Sequence, residues 1–248
     1  MMSKDSHVIS RMRAITISRE YGSGGGEIAR RLASYLNWKL VDHEIVVQAA
    51  RELNIPNAEA EAQDECSEGI VGHISMAISS IGTVPLMGGT NPLVYHETIS
   101  RVITREVKVG HVVVVGRGAQ VLFANRRDVL YVRIVAPLQL RVAYVMQREE
   151  LDLKTARSRV QLKEKDRHRY LQAQYRRNPD DSHLYDLVVN TGVLSLDSTV
   201  ALIAQALQYK AEHLATATED LGPGTGLQPY PSQPGDFRPP KSVQDTAK

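Results

Sequence analysis

The sequence predicts an α/β protein: an open, doubly wound sheet of five parallel strands with helices on both faces. Three observations carry this. Short β-rich runs alternate with stretches of helical period along most of the chain. Two of those runs, Val112–Val115 and Val129–Val135, are almost continuously apolar, as in strands covered on both faces. A dense glycine cluster joins the first strand to the first helix, and ligands of such sheets lie beyond the carboxyl ends of the strands.

Each element follows in order. Ala14–Ser18 is a β-rich run that stops at the glycines. Glu27–Leu36 then puts Ile28, Ala29, Leu32, Ala33 and Leu36 on one helical face. Lys39–Val41 reads as a second strand, and Asp42 stands where a cap for the next helix belongs. Val94–Val109 has a helical period and ends at Gly110. The two apolar strands follow, then Leu138–Leu151 and an arginine-rich stretch to about Tyr175, both helical in pattern. Leu187–Asn190 is the last strand and Leu196–Leu214 a closing helix. Strands separated by helices imply right-handed crossovers, hence parallel pairing. The ligand-facing loops are then those after Ser18, Val41, Val115 and Val135.

Composition narrows the function classes. The chain has 248 residues, 42% hydrophobic and 23% charged, enough to bury a core and too apolar for wholesale disorder. A single cysteine, Cys66, excludes an internal disulfide framework and points to a reducing compartment. The eight histidines are scattered without metal-ligand spacing, so no metal site is expected. No apolar run approaches the roughly 18 residues of a membrane span. The opening MMSKDSHVISRMR lacks the apolar centre of a secretion signal, so the expected setting is cytoplasmic, with no membrane partner. Net charge is only +2, but Arg126–Arg177 holds fourteen Lys/Arg, eleven of them Arg, against six Asp/Glu. That face is built to meet an anion. With 5% aromatics and no known reading module, a nucleic-acid partner is not expected.

The chain divides into an N-terminal extension, 1–13, a main domain, 14–212, and a tail, 213–248. From Thr216 onward the tail carries six of the eleven prolines, four glycines and almost no aliphatics. It cannot bury enough apolar surface to offset its ordering entropy, so disorder with polyproline-like stretches is expected. Oligomeric state is not readable from these patterns.

Tyr21-Gly22-Ser23-Gly24-Gly25-Gly26-Glu27 is the loop that matters most. Glycines let successive backbone N–H groups turn towards an anion, and the helix N-terminus adds positive potential. A phosphate is the natural guest. The Walker pattern fits badly, because Gly25 and Gly26 stand where its lysine and hydroxyl belong. The dinucleotide fingerprint matches Gly24–Ala29, with Asp42 further on, so an NAD-dependent oxidoreductase is a rival reading. It leaves the arginine excess unused.

The runs ITISREYGSGGGEIARRLASYLNWKLVDHEIV, VVVVGRGAQVL, VLYVRIVAP, DRHRYLQAQY and YDLVVNTG, in that order, resemble the cytidylate-kinase-like branch of P-loop nucleoside monophosphate kinases. The similarity extends from about Ala14 to Leu207. It implies a P-loop kinase sheet, a monophosphate-binding helical insert at about 55–105 and an arginine-rich lid at about 148–170. It also implies ATP with Mg2+ as donor and a nucleoside monophosphate, CMP or dCMP first, as acceptor. Gly22, Ser23, Gly24, Gly25 and Gly26 correspond to the phosphate loop, and Arg19 is placed to reach over it. Asp42, Arg117, Asp166 and Arg169 correspond to acceptor-binding positions. Arg117, Arg141 and Arg148 fall where arginines neutralise the transferring group.

Several residues depart from the family pattern. Gly118 replaces the acid of Gly-Arg-Asp, Gln48 an arginine, and Lys163 an acid ahead of Asp166. The branch as a whole lacks the Walker lysine. Phosphoryl transfer needs positioning and charge cancellation more than covalent work, which arginines supply well. A nucleotide-binding regulator without turnover remains open beside the kinase. Asp42 also reads as a helix cap, and Asp166 as an intrahelical partner of Arg169 or Arg167. Arg157, Arg159, Arg176 and Arg177 read as solvated or paired with Glu149, Glu150 and Glu164.

Overall fold

The computed structural model describes residues 8–42, 52 and 92–222. The helix expected after Asp42, the insert as far as residue 91, the first seven residues and the tail beyond 222 lie outside the described residues.

Five strands form one all-parallel sheet in the order β2-β3-β1-β4-β5. They are β1 (Ala14–Arg19), β2 (Lys39–Val41), β3 (Val112–Val115), β4 (Val129–Val135) and β5 (Leu187–Asn190). The central strands are buried along nearly their whole length, which is why their sequences are apolar without alternation. Side chains alternate between the faces. On one face Ala14, Val112, Val114, Val129 and Tyr131 form a core with Tyr95, Ile99, Val102, Ile103 and Val107 of helix α2 (Pro92–Val109). Ser18 and Arg133 stand further along that face, towards the carboxyl ends of β1 and β4.

Helix α1 (Gly25–Leu36) covers the other face through Ile28, Ala29, Leu32 and Ala33, and packs against α6 (Leu196–Glu212). It begins two residues earlier than its apolar period suggests, and no side chain caps it. Asn37, left-handed at φ 54°, ends it with its N–H on carbonyls of the last turn.

A short helix α3 (Ala119–Leu122) follows β3. After β4 the chain makes a helical hairpin of α4 (Leu138–Glu149) and α5 (Leu153–Tyr175). Glu150 turns it in the left-handed region, and the Asp152 carboxylate caps α5 by accepting the Thr155 N–H at 3.0 Å. Val142 and Val145 pack on Ala156 and Val160, and Tyr21 of the glycine loop joins this cluster. Burying each such valine contributes about 1.5–3 kcal/mol, so hairpin and loop are held together by apolar contact as well as by charge.

By its internal contacts the chain separates into two units, Met1–Glu212 and His213–Lys248. Within the second, the described residues form a single 3-10 turn at Thr218–Asp220. Among the described residues no helix is long and apolar enough to cross a membrane.

Candidate active site

The glycine loop leaves β1 and is shaped by close packing. Gly22 (φ 83°) lies so near α4 that a Cβ there would sit 2.7 Å from the Arg141 carbonyl and 3.1 Å from Val145. Gly24 (φ 80°) would meet Leu196 at 2.9 Å. The buried Ser23 hydroxyl donates to the Glu20 carbonyl at 2.9 Å, so it braces the turn from inside.

Gly25 and Gly26 differ from these and from each other. A side chain at Gly25 would begin 2.6 Å from the Cβ of Arg19, so the space a Walker lysine would leave from is filled by the arginine that ends β1. At Gly26 a Cβ would meet nothing within 4 Å. No packing reason requires glycine there, although glycine in a helix costs roughly 0.5–1 kcal/mol relative to alanine. The main chain there is open to close approach from outside.

Beside the loop, at the carboxyl ends of β1, β3 and β4, is a pocket with about 580 Å³ of empty space, part of it open to solvent. Ser18, Arg19, Arg117, Arg133, Arg167 and His168 are among its walls. The Arg19 guanidinium packs over Gly116, where a Cβ would push it aside. Gly116, Arg117 and Gly118 are three consecutive left-handed residues, at φ 74°, 58° and 66°. Arg117 is held in a conformation that arginine seldom adopts, and strain of about 1–3 kcal/mol of this kind clusters at functional sites. The ring of Tyr175 packs directly on Gly118, and its hydroxyl donates to the Arg117 carbonyl at 3.4 Å. The missing acid of the Gly-Arg-Asp pattern is thereby explained: the aromatic ring occupies its space.

Arg133, only 5% exposed, donates to Ser18 Oγ at 3.0 Å and to Asp180 at 2.7 Å. Asp180 also bonds His168 Nε2 at 2.8 Å, while His168 Nδ1 lies 2.9 Å from the Glu164 carbonyl. Both partners of the imidazole are acceptors, an arrangement that favours a proton on each ring nitrogen. Burial opposes that charge, but the bonds to Asp180 and the carbonyl outweigh it and raise the His168 pKa. Asp180 is held below the usual carboxylate range, because His168 and Arg133 overcome the opposing effect of burial.

Arg167 reaches from α5 to the loop, donating to the Arg19 carbonyl at 3.0 Å with its guanidinium 5.3 Å from the centre of the Tyr21 ring. Tyr21 donates its hydroxyl to Glu149 at 2.6 Å, and burial together with that carboxylate pushes its pKa up to about 12.

Of the residues singled out in the sequence, Arg19 and Arg117 line this pocket. Arg141 is buried beneath the glycine loop, donating to the Ala136 carbonyl at 2.9 Å and pairing with Glu20 and Glu164. Its place there is that of a loop brace. Arg148 is exposed on α4 and donates to the Tyr144 hydroxyl at 2.6 Å. Asp42 directly follows β2, half-buried. Asp166 is buried on α5 with Arg169 Nη1 3.3 Å from one oxygen, and neither lines the pocket. Arg157, Arg159, Arg176 and Arg177 are exposed, with Arg159 on Glu149 at 2.5 Å.

Three pocket cations were not singled out from sequence: Arg133, Arg167 and His168. A lone arginine inside the otherwise apolar run of β4 was the available signal, since a strand buried on both faces keeps a charge only where something pairs with it.

The model of the Cytidylate kinase-like family matches residues 14–193, most of the chain. The chain belongs to that family. A cytidylate kinase of Methanopyrus kandleri is 29% identical over 201 residues, covering 78% of this chain and 92% of the relative. One of Staphylothermus marinus is 23% identical over 197 residues, covering 79% and 97%. The crystal structure of an uncharacterized protein from Eubacterium ventriosum superposes with a TM-score of 0.59 at 20% identity, over 79% of this chain and 98% of that one. Membership of that family supports a nucleotide kinase.

Proposed function

We propose that the chain transfers the terminal phosphoryl group of ATP to a nucleoside monophosphate, CMP or dCMP first. One observation carries this: four arginines and a histidine line one pocket beside a helix N-terminus without a side-chain cap and a glycine loop. The donor phosphates lie on the main chain of Gly22–Gly26 at the start of α1, where dipole and N–H groups favour anions. The acceptor phosphate is gripped by Arg117 with Arg19, its nucleoside faces Asp42 and Arg169, and the buried Asp166 holds Arg169 in place from 3.3 Å.

In the transfer an acceptor phosphate oxygen attacks the γ-phosphorus. The bond from that phosphorus to the β,γ-bridging oxygen breaks, and ADP leaves with the electron pair. Arginines oppose the charge spread over the equatorial oxygens. Arg148 closes over this group from the hairpin, while Arg141 holds the loop in register. Among the described residues no group of three or more His, Cys, Asp or Glu side chains could hold a metal ion. Mg2+ held by the nucleotide phosphates would supply further charge neutralisation.

The experiment is a panel of ribo- and deoxyribonucleoside monophosphates incubated with ATP and Mg2+, the products resolved by mass. A diphosphate of one pyrimidine acceptor is expected. A second reading, a nucleotide-binding regulator without turnover, is favoured by the missing lysine and hydroxyl at Gly25 and Gly26. ATP binding by calorimetry with no product from any acceptor would establish it.

A further inference from the structure

Glu164 is the one carboxylate among the described residues that line the arginine pocket, and its placement is unusual. Its Oε1 accepts the backbone N–H of Tyr21 in the glycine loop at 2.5 Å. The same oxygen lies 3.6 Å from Arg141 Nη1 and 4.0 Å from Arg167 Nη1. The glycine loop donates one hydrogen bond to this oxygen, and α4 and α5 each bring a guanidinium to within 4.0 Å of it. The side chain is only 19% exposed, and Arg141 is more enclosed still. An amide and two guanidiniums converging on one oxygen is the coordination of an anion site, not of a surface ion pair.

Without an anion there, Arg141 would keep Glu20 at 3.4 Å, but Arg167 would lose the one carboxylate paired with it among the described residues. Buried like charges are costly unless an opposite charge accompanies them. The Nε of Arg167 is also buried without a hydrogen-bond partner, so this cation is under-satisfied even with Glu164 in place. A phosphate, with more charge and more acceptor oxygens, satisfies the same donors better than a carboxylate does. The two cannot share the site, because both are anionic and both need the single Tyr21 N–H.

We propose that Glu164 is a built-in stand-in for the terminal phosphate of the donor: it holds the Tyr21–Arg141–Arg167 anion site when no nucleotide is bound, and the donor displaces it. This rests on the reading that donor phosphates bind at the glycine loop. Glu164 and Arg167 lie three apart on α5, so they share a face of that helix. Displacement breaks the link between α5 and the loop, so donor binding loosens the hairpin that carries Arg167 and His168. Apparent donor affinity is reduced by the competition, just as a ligand is weakened when its binding-competent state is a minor one.

The test is calorimetric titration of the full chain with inorganic tripolyphosphate, and separately with ATP. Glu164→Gln keeps the size and removes the charge. Its dissociation constant for tripolyphosphate is expected to fall roughly tenfold or more relative to the parent, while its Tm drops by about 5 °C from loss of the ion pairs. Glu164→Asp keeps the charge but withdraws the oxygen by one methylene. It is the second variant, expected to shift affinity in the same direction by a smaller factor. Adding Arg167→Gln to Glu164→Gln should abolish the gain. A residue with a merely structural role would weaken ligand binding when replaced, so unchanged or weaker binding in both single variants overturns the proposal. Absence of tripolyphosphate binding to every variant overturns it too. Tighter binding of tripolyphosphate with no transfer to any monophosphate sustains the stand-in and refutes the kinase reading. Transfer with unchanged affinity refutes the stand-in alone.

Discussion

Replacing Gly22 by alanine, with Gly26→Ala as its partner experiment, asks which glycines of the loop serve the fold and which serve a ligand. At Gly22 the backbone is left-handed, φ 83°, and a left-handed L-residue costs roughly 1–2 kcal/mol. The new Cβ would also stand 2.7 Å from the Arg141 carbonyl, a backbone atom that cannot rotate aside. Val145 and the Arg141 Cβ, each at 3.1 Å, close off the other directions of escape. Overpacking of this kind adds about 1–3 kcal/mol, so the total is about 2–5 kcal/mol. For a domain of this size that lowers Tm by roughly 5–15 °C. Gly26 has φ outside the left-handed region and no atom within 4 Å of its Cβ position. Gly26→Ala is therefore expected to melt at the parent temperature or up to about 3 °C above it. Its ATP affinity should nevertheless fall, because the methyl group stands off the phosphates. Circular-dichroism melts and ATP calorimetry on both variants read these outcomes. Equal destabilisation by the two substitutions, or a Gly22→Ala protein melting within about 2 °C of the parent, would refute the reasoning.

Arg148 is exposed and, among the described residues, bonded within its own helix to Tyr144, so Arg148→Ala should leave Tm within about 2 °C while turnover falls by roughly 10³-fold. A variant keeping half the activity removes Arg148 from the mechanism. Arg117→Ala should raise the acceptor KM by roughly 10- to 100-fold, with ATP affinity unchanged in a direct titration. Loss of ATP binding instead would move Arg117 to the donor side. His168 has a raised pKa, so its bond to Asp180 stabilises the fold fully below its unfolded value of about 6.5. That stability is lost as the pH rises through the elevated folded value. The Tm difference between parent and His168→Gln should accordingly be largest in mild acid and shrink in alkali. A difference that grows with pH would show that the ring is neutral in the fold.

Four of the five strands fall on the residues their apolar runs mark, and the fifth, Ala14–Arg19, is longer by one residue. Burial on both faces writes itself into local composition, so the central strands needed no tertiary information. Helix ends were less legible. α1 starts at Gly25, where no capping side chain announces it, and the α4–α5 hairpin turns at Glu150 in a left-handed conformation that glutamate rarely marks. Arg117 was legible because two glycines bracket it at a strand end. Arg167 was not, since α5 carries cations all around and charge alone does not say which one meets the loop.

From its sequence alone the chain determines a parallel α/β sheet, a glycine turn open to anions after the first strand, and an excess of positive charge in its second half. Those properties are local, because they depend on residue type and spacing over a few turns. The three-dimensional structure decided which of those charges converge. Arg133 turns inward by strand alternation, Arg167 and Glu164 by the phase of α5, and Arg19 fills the space beside Gly25 because β1 ends where it does. Convergence of that kind depends on how distant segments pack, and no stretch of sequence read in isolation carries it.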